Sequence, residues 1–210
     1  MNPILLLDYS GVAVFAATGA LAASRKEIDI IGFLFLAGVT GVGGGTLRDM
    51  ILGIPVFWVV NPDYVFICAA VAIGVYFTAH RMESRYVLLL WLDAIGLAAF
   101  SVMGAAKGLV VTGSAPVAII MGVLTATFGG ILRDLLAGEP SVLLRPEIYV
   151  TSALAGAATF TLLDLAALPS PFAAMIAVAV AFLVRGGALK YGWSFPPYKS
   201  RPGRRPEDIR

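Results

Sequence analysis

The sequence predicts an all-α membrane protein with seven transmembrane helices: two inverted three-helix repeats plus a seventh helix. Three observations carry this. First, the 210 residues are 59% hydrophobic and only 13% charged, and mean hydropathy is +0.89; soluble domains carry about 25% charged residues. Second, the apolar residues fall in runs long enough to cross a bilayer, which takes about 20 residues at 1.5 Å rise. Third, the chain matches itself when shifted by 85 residues, and each matching unit holds an odd number of spans.

The spans are expected at about 4–23, 30–52, 63–79, 86–106, 115–137, 147–167 and 171–190. The first lacks a basic leader and stays apolar through Ala23, so it reads as a span rather than a cleaved signal. Leu168-Pro169-Ser170-Pro171 separates the last two, because proline inside a helix removes a donor and clashes with the preceding turn. These boundaries divide residues 1–190 into repeat one (about 4–79), repeat two (about 86–167) and the extra helix. Residues 191–210 form a basic tail.

Lys and Arg near span ends set orientation. Arg25 and Lys26, Arg81 and Arg85, and Arg145 lie in the odd-numbered loops; Lys190, Lys199, Arg201, Arg204, Arg205 and Arg210 lie at the C-terminal end. The even loops carry only Lys107. The expectation is a multi-pass protein with its N-terminus outside and its C-terminus cytoplasmic. The tail reads either as a solvated end or as a basic patch for anionic lipid headgroups. Nothing suggests nucleic-acid recognition.

The self-match runs without a gap from 8 to 55, after which a one-residue slip puts Pro62-Asp63 on Pro146-Glu147. It places Asp8 on Asp93, Gly11 on Gly96, Phe15 on Phe100, Gly19 on Gly104 and Thr40 on Thr125. It also places Gly44, Gly45, Leu47, Arg48, Asp49, Gly53 and Pro55 on Gly129, Gly130, Leu132, Arg133, Asp134, Gly138 and Pro140. Three spans per unit make the copies enter from opposite sides. Inverted repeats with interrupted helices are the pattern of transport proteins, with the site between the repeats.

The doubled motif Gly-Gly-x-Leu-Arg-Asp is the candidate site. Glycine weakens a helix, so Gly43, Gly44, Gly45, Gly129 and Gly130 are expected to break the second and fifth spans. Freed carbonyls near Gly43, Gly44 and Gly129 could then attract a cation such as potassium; the alternative is that the glycines only let helices approach closely. Arg48 and Arg133 can reach back toward the broken turn. Adjacent Arg and Asp diverge by about 100° around a helix, so the expected pairs cross the pseudo-two-fold axis, Arg48 with Asp134 and Arg133 with Asp49. The alternative is buried ion pairs that only fix packing. Asp8 and Asp93 are either acidic vestibules for cations or partners of neighbouring helix ends. Asp164 and Arg185 have no repeat counterpart and read as interfacial or snorkelling.

One histidine, His80, and one cysteine, Cys68, exclude a His- or thiolate-based metal cluster and an internal disulfide. There is no nucleophile elbow and no nucleotide loop, so an enzyme is not expected, nor a cofactor.

With Gly-Gly-Gly-Thr-Leu-Arg-Asp at 43–49, its echo Gly-Gly-Ile-Leu-Arg-Asp at 129–134 and seven spans, the chain resembles the prokaryotic trimeric intracellular cation (TRIC) channel family over residues 4–190. The resemblance implies a homotrimer with one pore per subunit, passing monovalent cations, chiefly potassium, through the bacterial inner membrane. It implies kinked second and fifth helices, with pore roles for Gly43, Gly44, Gly45, Arg48, Asp49, Gly129, Gly130, Arg133 and Asp134. Phe128 stands where the first motif has Gly43, so the half-sites differ. The Lys-Glu-Val of animal members is not found at the fourth span, so their phosphoinositide link does not carry over. Similar bacterial sequences are also described as glycine transporters, which leaves a small-amino-acid transporter as the alternative.

Overall fold

The computed structural model describes residues 3–144 and 147–196. Eight α-helices follow one another: α1 (Pro3–Arg25), α2 (Ile30–Ile51), α3 (Phe57–Val60), α4 (Asp63–Thr78), α5 (Arg85–Thr112), α6 (Ala115–Leu136), α7 (Val150–Leu165) and α8 (Ser170–Tyr191). Among the described residues six segments are long and apolar enough to span; α7, with 16 residues, is a shorter apolar helix. Local chemistry sets several ends. The Asp29 carboxylate accepts the Gly32 N–H and caps α2. Gly113 and Gly192, both at positive φ, close α5 and α8. α5 runs to Thr112, six residues past the end expected from hydropathy, and it carries Lys107 along with it. Arg145 and residues 197–210, including most of the basic tail, lie outside the described residues.

Repeat one is α1, α2 and α4; repeat two is α5, α6 and α7; α8 is the extra helix. The short α3 matches a 3-10 turn at Val142–Leu144 at the same 85-residue offset. Side-chain contacts reveal the inverted symmetry, because each is made twice with roles exchanged. Phe15 and Phe100 lie with ring centroids 5.0 Å apart. A Cβ on Gly11 would fall 2.6 Å from the Phe100 ring, and one on Gly96 would fall 3.0 Å from Phe15. Likewise a Cβ on Gly44 would land on the Thr125 carbonyl oxygen, and one on Gly129 on that of Thr40. The α1–α5 pair and the α2–α6 crossing therefore straddle one axis.

α1 and α5, the first helices of the repeats, are the most buried spans. Their buried positions are mostly small or aromatic: Val12, Phe15, Ala16 and Ala20 on α1, and Leu97, Ala98, Phe100 and Ala105 on α5. Outward faces are apolar as well, with Phe35, Phe66, Met175 and Leu183 each more than half exposed. In water this would be a liability; in a bilayer it is the expected surface.

The two ends of the bundle differ in chemistry. Asp8, Asp49, Tyr64 and Lys107 gather at one, and Arg25, Asp134, Glu139 and Tyr149 at the other. At the second end Arg25 Nη1 lies 3.0 Å from Glu139 Oε2, and Arg85 Nη1 donates to the Ser24 carbonyl at 2.9 Å. The Arg25–Glu139 pair is part-exposed, so Glu139→Gln should lower stability by no more than about 1 kcal/mol. A melt of the purified variant checks this.

Candidate functional site

Each copy of the motif builds one half-site, at opposite ends of the α2–α6 crossing. In the first, Arg48 curls around α2 to its own neighbour: Nε donates to Asp49 Oδ1 at 2.8 Å, with Nη2 also at 2.8 Å. Asp49 Oδ2 accepts the Phe57 N–H at 2.9 Å and so fixes the start of α3. Lys107, from the extended end of α5, adds a second cation 3.1 Å from Asp49 Oδ1. Both Arg48 and Lys107 stand about 6 Å from the Phe57 ring centre, at 5.8 and 6.0 Å. Asp8 is held separately, accepting the Tyr64 hydroxyl at 2.6 Å.

The second half-site repeats this frame. Arg133 Nε donates to Asp134 Oδ1 at 2.9 Å, and Asp134 Oδ2 accepts the Val142 N–H at 2.9 Å. Arg133 goes further: Nη1 donates to Asp93 Oδ1 at 2.7 Å and to Thr18 Oγ1 at 3.0 Å. It is wholly buried, as is Asp93. Beside them Tyr149, 2% exposed, lies under the guanidinium of Arg185, 5.1 Å from its ring centre. Arg185 itself is fully buried; Nη1 donates to the Ile148 carbonyl at 3.2 Å and Nη2 lies 2.9 Å from Glu147 Oε2.

Three expectations are corrected. The pairs Arg48–Asp134 and Arg133–Asp49 do not form; each Arg pairs within its motif. α2 and α6 run antiparallel through a crossing at 40–44 and 125–129, so Arg48 and Asp134 move apart, each about 6–8 Å beyond it at 1.5 Å per residue. The long guanidinium stem spans the angle that backbone geometry sets between neighbours. The glycines open no non-helical gap: α2 is helical from Ile30 to Ile51 and α6 from Ala115 to Leu136. The backbone near Gly43, Gly44 and Gly129 therefore stays in helix. Gly44 and Gly129 instead let two backbones meet, and Gly45 and Gly130 admit the Phe57 ring and the Tyr149 hydroxyl. Gly43 meets only the end of Leu132. Finally, Arg185 does not snorkel; it is as buried as Arg133.

Comparison with known proteins adds the context. The family model described as "Glycine transporter" matches residues 5–80 and again 90–164. The TRIC trimeric intracellular cation channel orthologue from Rhodobacter sphaeroides superposes with a TM-score of 0.89 at 54% identity, covering 92% of this chain and 100% of that one. This chain belongs to the TRIC channel family. A UPF0126 membrane protein of Vibrio cholerae is 39% identical over 93% of this chain and 82% of its own length. The UPF0126 inner membrane protein YadS of Escherichia coli K12 is 37% identical over 91% and 94%.

This TRIC-family chain is thus a membrane protein of a channel fold, not an enzyme. Of the residues singled out from sequence, Asp8, Arg48 and Asp49 gather at one end, and Asp93, Arg133 and Asp134 at the other. The structure adds Thr18, Tyr64 and Tyr149 to these clusters, together with Lys107, expected only as a loop charge, and Arg185, expected only as interfacial or snorkelling. The tyrosines had a signal: keeping the 85-residue offset, without the one-residue slip expected near Pro62, places Tyr64 on Tyr149. Lys107 and Arg185 had none: Lys107 falls on Ala22 of repeat one, and Arg185 lies on α8, outside both repeats.

Lys107 is about one-third exposed where it pairs with Asp49. Lys107→Gln should raise cation conductance about twofold at low salt, and the gain should fade in molar salt as screening shortens the field. Conductance against salt concentration checks it.

Proposed function

We propose that this protein is a potassium-permeable monovalent-cation channel, with one pore per subunit of a homotrimer. Cations pass between the inverted repeats, from the Asp8 half-site, past the α2–α6 crossing, to the Asp93 half-site. Arg48 and Arg133 brace or gate the two ends, and Asp8, Asp49, Asp93 and Asp134 supply negative charge. The observation that carries this reading is the pair of buried Arg–carboxylate half-sites at opposite ends of one helix crossing. Charged groups inside a membrane are costly and, where they occur, face a bundle interior or cavity and mark ion pathways. The 54% identical Rhodobacter sphaeroides relative is described as a trimeric cation channel, which supports both the cation and the trimer.

The expected setting is the bacterial inner membrane, as for the Escherichia coli relative, with the N-terminus outside. The Asp8 half-site then faces out and the Asp93 half-site faces the cytoplasm. Gly43, Gly44, Gly45, Gly129 and Gly130 shape the path by close approach. No cofactor is required; potassium is the permeant ion.

The test is single-channel recording in planar bilayers with potassium chloride. Unitary currents that reverse near the potassium potential, and change when Arg48 or Arg133 is replaced, are expected. A second reading, transport of glycine or a similar small amino acid, is favoured by the description of the matching family model. A silent bilayer with saturable uptake of labelled glycine into vesicles would establish it instead.

A further inference from the structure

The half-sites hold the same residues at the 85-residue offset, yet pair them differently. Asp8 takes the Tyr64 hydroxyl at 2.6 Å, and Arg48 stays with Asp49. Asp93 takes Arg133 at 2.7 Å, and the counterpart hydroxyl, Tyr149 OH, has no hydrogen-bond partner although it is buried. Asp93 Oδ2 is likewise buried and unpartnered. The groups left unpaired in repeat two are those paired in repeat one. They are also close: a Cβ on Gly130 would lie 2.6 Å from Tyr149 OH and 3.3 Å from Asp93 Oδ1. A buried unpaired hydroxyl and an unpaired carboxylate oxygen each carry a desolvation cost, and a hydrogen bond between them would remove both.

We propose that the Asp93 half-site switches between two pairings, the Arg133–Asp93 ion pair and a Tyr149–Asp93 hydrogen bond built like Tyr64–Asp8, with Arg185 as the positioning residue that holds Tyr149 back. In the first pairing the guanidinium covers the carboxylate. In the second the Tyr149 hydroxyl donates to Asp93 Oδ2, and Arg133 withdraws to Asp134 as Arg48 sits on Asp49. Asp93 Oδ1 is then free to meet a cation. The groups facing this exchange are Thr18 on α1, Asp93 on α5, Arg133 and Asp134 on α6, Glu147 before α7 and Arg185 on α8. α8 belongs to neither repeat, so repeat one has no counterpart of Arg185 and the Tyr64–Asp8 bond forms freely. Past α8, Ser194 bridges to Glu147 and Trp193 covers Gly187. The segment that carries Tyr149 is thus clasped from the C-terminal side. The consequence for flux rests on the channel reading; the switch itself does not.

Two measurements test it. The hydroxyl environment of Tyr149 is read by carbon NMR of protein labelled at tyrosine Cζ, its line identified by loss in Tyr149→Phe. That line should be split or exchange-broadened between two positions, one close to that of Tyr64, and Asp93→Asn should collapse it to one. Should Asp93→Asn not fold, Arg185→Lys, which keeps the charge but loses the planar fork, should shift the same populations. A single sharp line unmoved by either variant would overturn the switch whether or not the protein conducts. In bilayers, Tyr149→Phe should lower open probability roughly tenfold or more, the scale of one hydrogen bond to a charged group, at unchanged unitary conductance. Wild-type current with identical gating in Tyr149→Phe would overturn it too, whereas absent wild-type current would refute the channel reading and leave the NMR result decisive.

Discussion

Replacing Arg133 by Gln should destabilise the protein by about 3–5 kcal/mol, the usual cost of removing one partner from a buried ion pair. It would leave Asp93 and Asp134, both buried, without their shared cation. The same change at Arg48 should cost clearly less, about 1–3 kcal/mol, because Asp49 keeps Lys107 and the Phe57 N–H. Two positions identical in motif should therefore differ in consequence. Melting of both variants in the same detergent is the measurement, and equal losses would contradict the geometry. Adding Asp93→Asn to Arg133→Gln should recover part of the loss, since the orphaned charge is then gone.

Alanine at Gly44 or Gly129 should cost about as much as overpacking can, roughly 3 kcal/mol, and should abolish flux. The added methyl meets a backbone carbonyl oxygen on the partner helix, that of Thr125 or Thr40, and backbone cannot rotate aside. Both sites should respond alike, because they are symmetric halves of one crossing. Gly38→Ala and Gly74→Ala are the controls. Nothing lies within 4 Å of a Cβ at either, and alanine favours the helix by about 0.5–1 kcal/mol, so both should raise the melting temperature. A Gly129→Ala protein as stable and active as these controls would remove the crossing from the mechanism. Unchanged flux with less trimer would instead assign the glycines to assembly.

The membrane class, the seven apolar segments and the inverted duplication were all legible in the chain, and for a physical reason. Hydropathy is a sum over neighbours in sequence, and a duplication leaves residue identities in register. The correspondence of Asp8 with Asp93 and of Arg48-Asp49 with Arg133-Asp134 required no coordinates. The equivalence of the two copies of the doubled motif followed from the same register.

Contacts between elements were not legible. Sequence symmetry says which residues are equivalent but not which touch, and it led to the crossed pairs Arg48–Asp134 and Arg133–Asp49. Only the antiparallel crossing of α2 and α6 shows that these residues recede from one another. The glycines were read as helix breakers because their intrinsic propensity is poor; packing overrides propensity where two backbones must meet. Lys107 and Arg185 were invisible as site residues because each arrives from outside its half-site's own repeat, one from the extended end of α5 and one from α8. By itself, then, the sequence determined what is repeated and what is buried in lipid. The tertiary structure decided how each repeated charge is satisfied, because that depends on which unrelated side chain the fold brings within about 3 Å.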